Sequence, residues 1–171
     1  MLSSLPAGSN VLIQGASRGI GLGFVRQLLA EPQVDRIFAA CRSPQAATAL
    51  TGLAAGDPRL RVVALDAMDE DSIRAASTAV AAIAPRLHLV VNCAGLLHDI
   101  ATGIAPEKRL ADVRPESLTA SFAVNAFGPL LVAKYFERLL AHKERAVFAS
   151  ISARVGSIGD NRLGGWYAYR G

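Results

Sequence analysis

The segment Gln14-Gly15-Ala16-Ser17-Arg18-Gly19-Ile20-Gly21 spaces its glycines as G-x-x-x-G-x-G and joins an apolar, β-branched stretch directly to an amphipathic one. Glycine at such points lets the backbone turn tightly and approach a pyrophosphate, and the first N–H groups of a following helix attract an anion. Gly15, Ser17, Arg18, Gly19, Ile20 and Gly21 are therefore candidates to contact a dinucleotide. A turn needed only to pack helix on strand is the other reading of the same residues. After the second apolar stretch, a cofactor with a free ribose 2′-hydroxyl calls for a carboxylate acceptor, and Cys41-Arg42 stands there instead. Arg42 and Arg18 together can grip a 2′-phosphate through charge-assisted hydrogen bonds, which favours NADP(H) over NAD; two ordinary surface arginines are the plain alternative. Asp66, in Ala64-Leu65-Asp66-Ala67-Met68, can accept from an adenine amino group or cap the next helix. The small residues of Asn92-Cys93-Ala94-Gly95 leave room for a flat ligand at a sheet edge, so Asn92, Ala94 and Gly95 join the cofactor set.

Such residues need elements that bring them to one place. Short apolar runs at 11–14, 36–41, 61–65, 87–91 and 146–150 alternate with helix-period segments at 21–31, 44–55, 69–84 and 115–142. That alternation predicts repeated βαβ units: an α/β fold with a doubly wound parallel sheet of Rossmann type. Ligands in such sheets bind beyond the carboxyl ends of the strands, at the point where the strand order reverses. The third helix opens on Asp69-Glu70-Asp71, the charge that suits a helix N-terminus, while Gly128-Pro129 disturbs the regular bonding of the fourth.

Composition bounds the rest. A chain of 171 residues that is 51% hydrophobic suits one domain spanning residues 1–171. No uncharged apolar run is long enough to span a membrane, and the N-terminus lacks the pattern of a secretory signal, which predicts a cytoplasmic protein. Cys41 and Cys93 sit in apolar stretches and read as buried free thiols. Residues 1–85 balance seven basic against seven acidic side chains, so the net charge of +4 lies in the second half. There Lys108, Arg109, Lys134, Arg138, Lys143 and Arg145 alternate with Glu107, Glu137 and Glu144, as on a solvated helix face, which argues against nucleic-acid binding. His88, His98 and His142 are far apart, without partners at ligand spacing; no metal site is expected, and they read as surface or loop histidines.

Taken together these segments resemble the short-chain dehydrogenase/reductase family, whose glycine motif T-G-x-x-x-G-x-G has Gln14 here in place of Thr. Its N-N-A-G motif appears as Asn92-Cys93-Ala94-Gly95. Pro106-Glu107-Lys108, the run from Phe122 to Leu131, Val155-Gly156-Ser157-Ile158 and Gly165-Trp166-Tyr167-Ala168-Tyr169-Arg170 look like its carbonyl-reductase branch near the C-factor and sniffer proteins. The resemblance implies a catalytic Asn, Ser, Tyr and Lys, the last two spaced Y-x-x-x-K. Asn125 matches the Asn and Tyr169 the Tyr. Tyr167 fits less well because Gly171 stands four residues beyond it. Counting three residues back from Gly156 reaches Ala153, but in the sub-branch reading S-A-R-V-G-S-I-G the serine is Ser152, with Ser150 and Ser157 as substitutes.

The lysine position, 173, lies beyond the 171 residues. A free phenol has a pKa near 10, so a tyrosine acting near neutrality needs a neighbouring cation, and the family draws it from that lysine. The expectation is a C-terminally truncated Rossmann-type domain without the downstream strands, helices and substrate lid, its fifth strand exposing Val147, Phe148 and Ile151 at a sheet edge. The implied function is NADP(H)-dependent hydride transfer between nicotinamide and a small-molecule carbonyl or alcohol, in a protein that forms a homo-oligomer at full length; the 171 residues as given are expected to be incomplete and by themselves inactive. The alternative is a nucleotide-binding signalling protein without turnover. A methyltransferase on the same sheet is disfavoured because Cys41 and Arg42 stand where its cofactor ribose wants an acid.

Overall fold

The computed structural model describes residues 5–171. Five strands, β1 (Ser9–Gln14), β2 (Val34–Cys41), β3 (Leu60–Ala64), β4 (Leu89–Asn92) and β5 (Val147–Ser150), form one sheet of order β3-β2-β1-β4-β5 with every pair parallel. The helices between them are α1 (Gly19–Leu29), α2 (Thr48–Gly56), α3 (Glu70–Ile83), α4 (Pro115–Phe122) and α5 (Gly128–Leu140), with a single closing turn α6 (Tyr167–Arg170). The sheet is thus the doubly wound one that the alternation of segments predicts. Its order reverses between β1 and β4, where Gln14 lies beside Asn92 and Asn92 beside Ser150.

Side chains alternate across a strand, and here both faces are covered, so the central strands are apolar throughout. Val11 and Ile13 enter a core with Leu22, Val25 and Leu28 of α1 and Leu50 of α2. Leu12 enters the opposite core, with Ile73 and Val80 of α3 and Val132 and Phe136 of α5. Phe38 and Phe136 are fully buried, worth roughly 1.5–3 kcal/mol each. Asp69 caps α3, its Oδ1 accepting the Asp71 and Ser72 N–H groups at 3.0 and 3.3 Å. Glu70 on the same turn ties α3 to α5, accepting from Lys134 Nζ at 2.7 Å and Tyr135 Oη at 2.8 Å.

Several expectations are corrected. The helix predicted over 115–142 is two helices separated by a π-helical turn, Ala123–Phe127, because Pro129 has no N–H to continue the ladder. The helix predicted over 44–55 begins with a separate turn, Pro44–Ala46, before α2. His88 is buried rather than a surface residue, and His142 is half-buried with its Nε2 at 2.8 Å from the Leu87 carbonyl. The Asn10 N–H donates to His88 Nδ1 at 3.1 Å, so Nε2 carries the ring proton and donates to Glu144 at 2.9 Å. That bond holds the Glu144 carboxyl below the usual glutamate range, helped by the Arg86 charge. Glu107, expected on a solvated face, is buried as well.

Candidate active site

The loop between β1 and α1 is held from two sides. Gly15 and Ala16 donate their N–H groups to the Ala40 carbonyl at the end of β2, at 2.9 and 3.0 Å, so these two are already spent. A Cβ on Gly15, whose φ is +78°, would stand 2.5 Å from the Ala94 nitrogen, and one on Gly21 would stand 2.2 Å from the Gly15 carbonyl oxygen. Packing therefore accounts for these two glycines. Gly19 differs: nothing lies within 4 Å of where its Cβ would be, and its left-handed φ of +55° is what calls for glycine there. Arg18 at the cap position gives α1 no side-chain cap and no acid occupies the first turn, which leaves the leading N–H groups available to an anion. Ser17 is half-buried and Ile20 is 60% exposed beside this opening.

Arg18 and Arg42 are exposed, and their side chains make no hydrogen bond or ion pair among the described residues. Arg42 follows the buried Cys41, whose thiol burial pushes up. Asp66 is half-buried; its Oδ1 accepts from the Met68 N–H at 3.0 Å, and its own N–H donates to Ser72 Oγ. The cap of α3 belongs to Asp69, so the helix-cap reading of Asp66 is not what the fold uses.

Beyond β4, Gln14 does work that the sequence did not disclose. It is buried, and its Oε1 accepts the Ala94 N–H at 3.1 Å while its carbonyl accepts from Cys93 at 2.9 Å. The longer amide at the family's Thr position thus fastens the Asn92-to-Gly95 segment to β1. Asn92 is buried, with Nδ2 donating to Ser150 Oγ at 3.3 Å and Oδ1 without a partner among the described residues. Cys93, expected to be buried, is half-buried, and that partial burial pushes its thiol up to about 11.

A cleft of about 340 Å³ opens at this end of the sheet, and Asn92, Ala94, Gly95, Asn125, Ser152 and Tyr169 all line it. Ser150 lines it too, whereas Ser157 does not. The glycine loop, Arg42 and Asp66 lie outside it, along the carboxyl ends of β1, β2 and β3. Asn125 sits in the π-helical turn; its Oδ1 accepts the Leu96 N–H at 2.7 Å and its Nδ2 donates to the Leu96 carbonyl at 2.9 Å and Ser121 Oγ at 3.0 Å. A mid-helix asparagine would bond its own turn or solvent; this one clamps a loop 29 residues away. Tyr169 stands on α6, its ring edge-on to Trp166 with centroids 6.3 Å apart.

The chain matches the short chain dehydrogenase family over residues 9–169, from the start of β1 to Tyr169. It belongs to the short-chain dehydrogenase family. An uncharacterized oxidoreductase of Schizosaccharomyces pombe is 32% identical over 158 residues, 92% of this chain and 59% of that protein. A short-chain dehydrogenase of Pyricularia oryzae is 33% identical over 88% of this chain and 58% of its own length. The NADPH-bound carbonyl reductase from chicken fatty liver superposes with a TM-score of 0.86 at 32% identity, over 98% of this chain and 66% of that one. Carbonyl reductase Sniffer of Drosophila melanogaster gives 0.85 at 28% identity, over 96% and 68%. The chain therefore spans about three-fifths of the length of these two curated relatives. Among the described residues no helix is long and apolar enough to cross a membrane.

Proposed function

We propose that residues 1–171 form one NADP(H)-binding domain of an oxidoreductase that transfers a hydride between nicotinamide and the carbon of a small carbonyl or alcohol. The observation that carries this reading is that Asn125, Ser152 and Tyr169, far apart in sequence, line one cleft at the carboxyl end of the sheet. The likeness to an NADPH-bound carbonyl reductase supports the choice of cofactor.

The residues present fit that cofactor. Gly15, Ser17, Gly19, Ile20 and Gly21 would surround its pyrophosphate at the uncapped start of α1, with Gly19 opening onto free space. Arg18 and Arg42, both without partners of their own, would hold the 2′-phosphate, and Asp66 the adenine amino group. Asn92, Ala94 and Gly95 would carry the cofactor past the sheet edge into the cleft. NADP(H), when bound, supplies or accepts the hydride.

The remaining chemistry belongs to the chain. In the reductive direction the Ser152 hydroxyl donates a hydrogen bond to the carbonyl oxygen, and Tyr169 Oη gives that oxygen its proton. Asn125 acts through position, because its amide is committed to Leu96 and Ser121; it keeps the loop after β4 against the π-helical turn and so keeps the cleft open. A cytoplasmic location and self-association at full length belong to the same proposal, on the family likeness. The test is calorimetric titration with NADPH followed by NADPH oxidation with aldehydes and diketones. Turnover is expected once a lysine stands four residues beyond Tyr169, and in that extended form Ser152→Ala and Tyr169→Phe should each lower it roughly a hundredfold or more and leave NADPH affinity within about twofold. Failure of the chain to bind NADPH would sink the proposal, and binding without turnover even in a form extended to carry a lysine four residues beyond Tyr169 would favour a nucleotide sensor.

A further inference from the structure

Glu107 is a carboxylate that the chemistry above does not use, and it is only 5% exposed. It lies in a loop before α4, far in sequence from the segment it touches. Its Oε2 accepts the Ala168 N–H at 3.3 Å, and its backbone carbonyl accepts the Trp166 N–H at 2.6 Å. Trp166 itself offers α6 no side-chain cap, so Glu107 acts as the cap from another part of the chain.

The backbone around this contact is unusual. Gly164, Gly165 and Trp166 all have positive φ, at +63°, +72° and +57°, and Trp166 is the only non-glycine residue with positive φ among those described. A bulky side chain enters that region only when its surroundings compel it. The compelling contact is the turn's wrap around the Glu107 carbonyl, which leaves 3.0 Å for any Cβ on Gly165. Arg170 locks the other side: Nε donates to the Gly165 carbonyl at 2.8 Å, Nη2 to Gly164 at 3.3 Å and Nη1 to Val155 at 2.6 Å. Val155 is three residues from Ser152, so this guanidinium joins the serine-bearing loop to the tyrosine-bearing turn.

We infer that Glu107 is a positioning residue for Tyr169: its buried carboxylate and backbone carbonyl set the Gly164-to-Arg170 turn so that the phenol reaches the cleft it shares with Ser152. This rests on the role proposed for Tyr169. Without the Glu107 carboxylate, α6 loses the side-chain cap on its Ala168 N–H, and the backbone carbonyl alone is left to hold Trp166 in its left-handed backbone. The turn then samples other arrangements, and the tyrosine moves with it.

The test uses the full chain labelled with 3-fluorotyrosine, the Tyr169 resonance being assigned with Tyr169→Phe. The parent is expected to give one narrow Tyr169 line. Glu107→Ala should broaden or split it, and Glu107→Gln, whose amide oxygen still accepts from Ala168, should restore a single line. Gly165→Ala, which presses on the Glu107 backbone carbonyl and keeps the carboxylate, should disturb Tyr169 likewise and decides the matter if Glu107→Ala does not fold. Tyr135, bonded to Glu70 away from this turn, should keep its line in every folded variant. An undisturbed Tyr169 line in Glu107→Ala, or in Gly165→Ala where that variant decides, overturns the inference. Where the parent turns over, Glu107→Ala should lower kcat roughly ten- to a hundredfold with the NADPH KM within about twofold. Absence of turnover in a form extended to carry a lysine four residues beyond Tyr169 counts against the proposed function, while the fluorine lines still decide Glu107.

Discussion

Arg42→Ala tests the cofactor assignment most directly. Arg42 directly follows β2, its side chain exposed and without a polar partner among the described residues, so its truncation breaks no internal hydrogen bond or ion pair. The loss is therefore confined to whatever the guanidinium binds. One charge-assisted hydrogen bond to a phosphate is worth about 1.5–3 kcal/mol, which corresponds to roughly a ten- to hundredfold preference for NADPH over NADH. Because the side chain is exposed, salt screening should pull the value toward the lower end, and raising ionic strength should shrink it further. Calorimetric titration of both cofactors at two salt concentrations reads all of this. The parent should prefer NADPH, Arg42→Ala should lose most of that preference, and NADH affinity should move less than about twofold. Equal affinities of the parent for the two cofactors, or an equal loss for both in the variant, would refute the 2′-phosphate reasoning.

Asp66 and Asp69 should separate: Asp69→Ala removes the α3 cap and lowers stability by about 1 kcal/mol with NADPH affinity unchanged, whereas Asp66→Ala weakens NADPH by about 1–2 kcal/mol. Thermal melting with and without NADPH distinguishes them, and an Asp66 effect seen only in the apo melt contradicts the adenine role. Gly15→Ala places a methyl group against the Ala94 backbone and forces a strained φ, so it should destabilise the fold by more than about 1 kcal/mol and abolish NADPH binding, read by urea unfolding and calorimetry. Cys93, pushed up to about 11 by burial, should be thiolate in only about one molecule in a thousand at pH 8 and resist alkylation until the chain is unfolded, as intact-mass spectrometry would record. The unfolded thiol ionises first, near its ordinary value of 9.0, so this group's contribution to stability is lost as pH rises from there toward 11; rapid alkylation of folded protein at pH 8 would contradict the upward shift.

Local pattern determined the alternation of strands and helices, because burial on both faces demands apolar runs of strand length and amphipathic segments between them. It also disclosed the Gly15-to-Gly21 loop and the acidic opening of α3, whose meaning depends on neighbours only a few residues away. Tertiary structure decided what depends on distant partners. Gln14 reads as a departure from a motif until Ala94 is seen on its Oε1, and Glu107 reads as one more surface acid until the turn at Gly165 closes over it. His88 looks like a loop residue until β1 supplies the Asn10 N–H and a later segment supplies Glu144. The split of the predicted 115–142 helix was half visible in Gly128-Pro129, but the clamp of Asn125 on Leu96 was not. Period and propensity describe a residue's immediate neighbours along the chain. Which buried polar group is satisfied by which remote donor is set only when the sheet order brings the carboxyl ends of β1, β4 and β5 side by side.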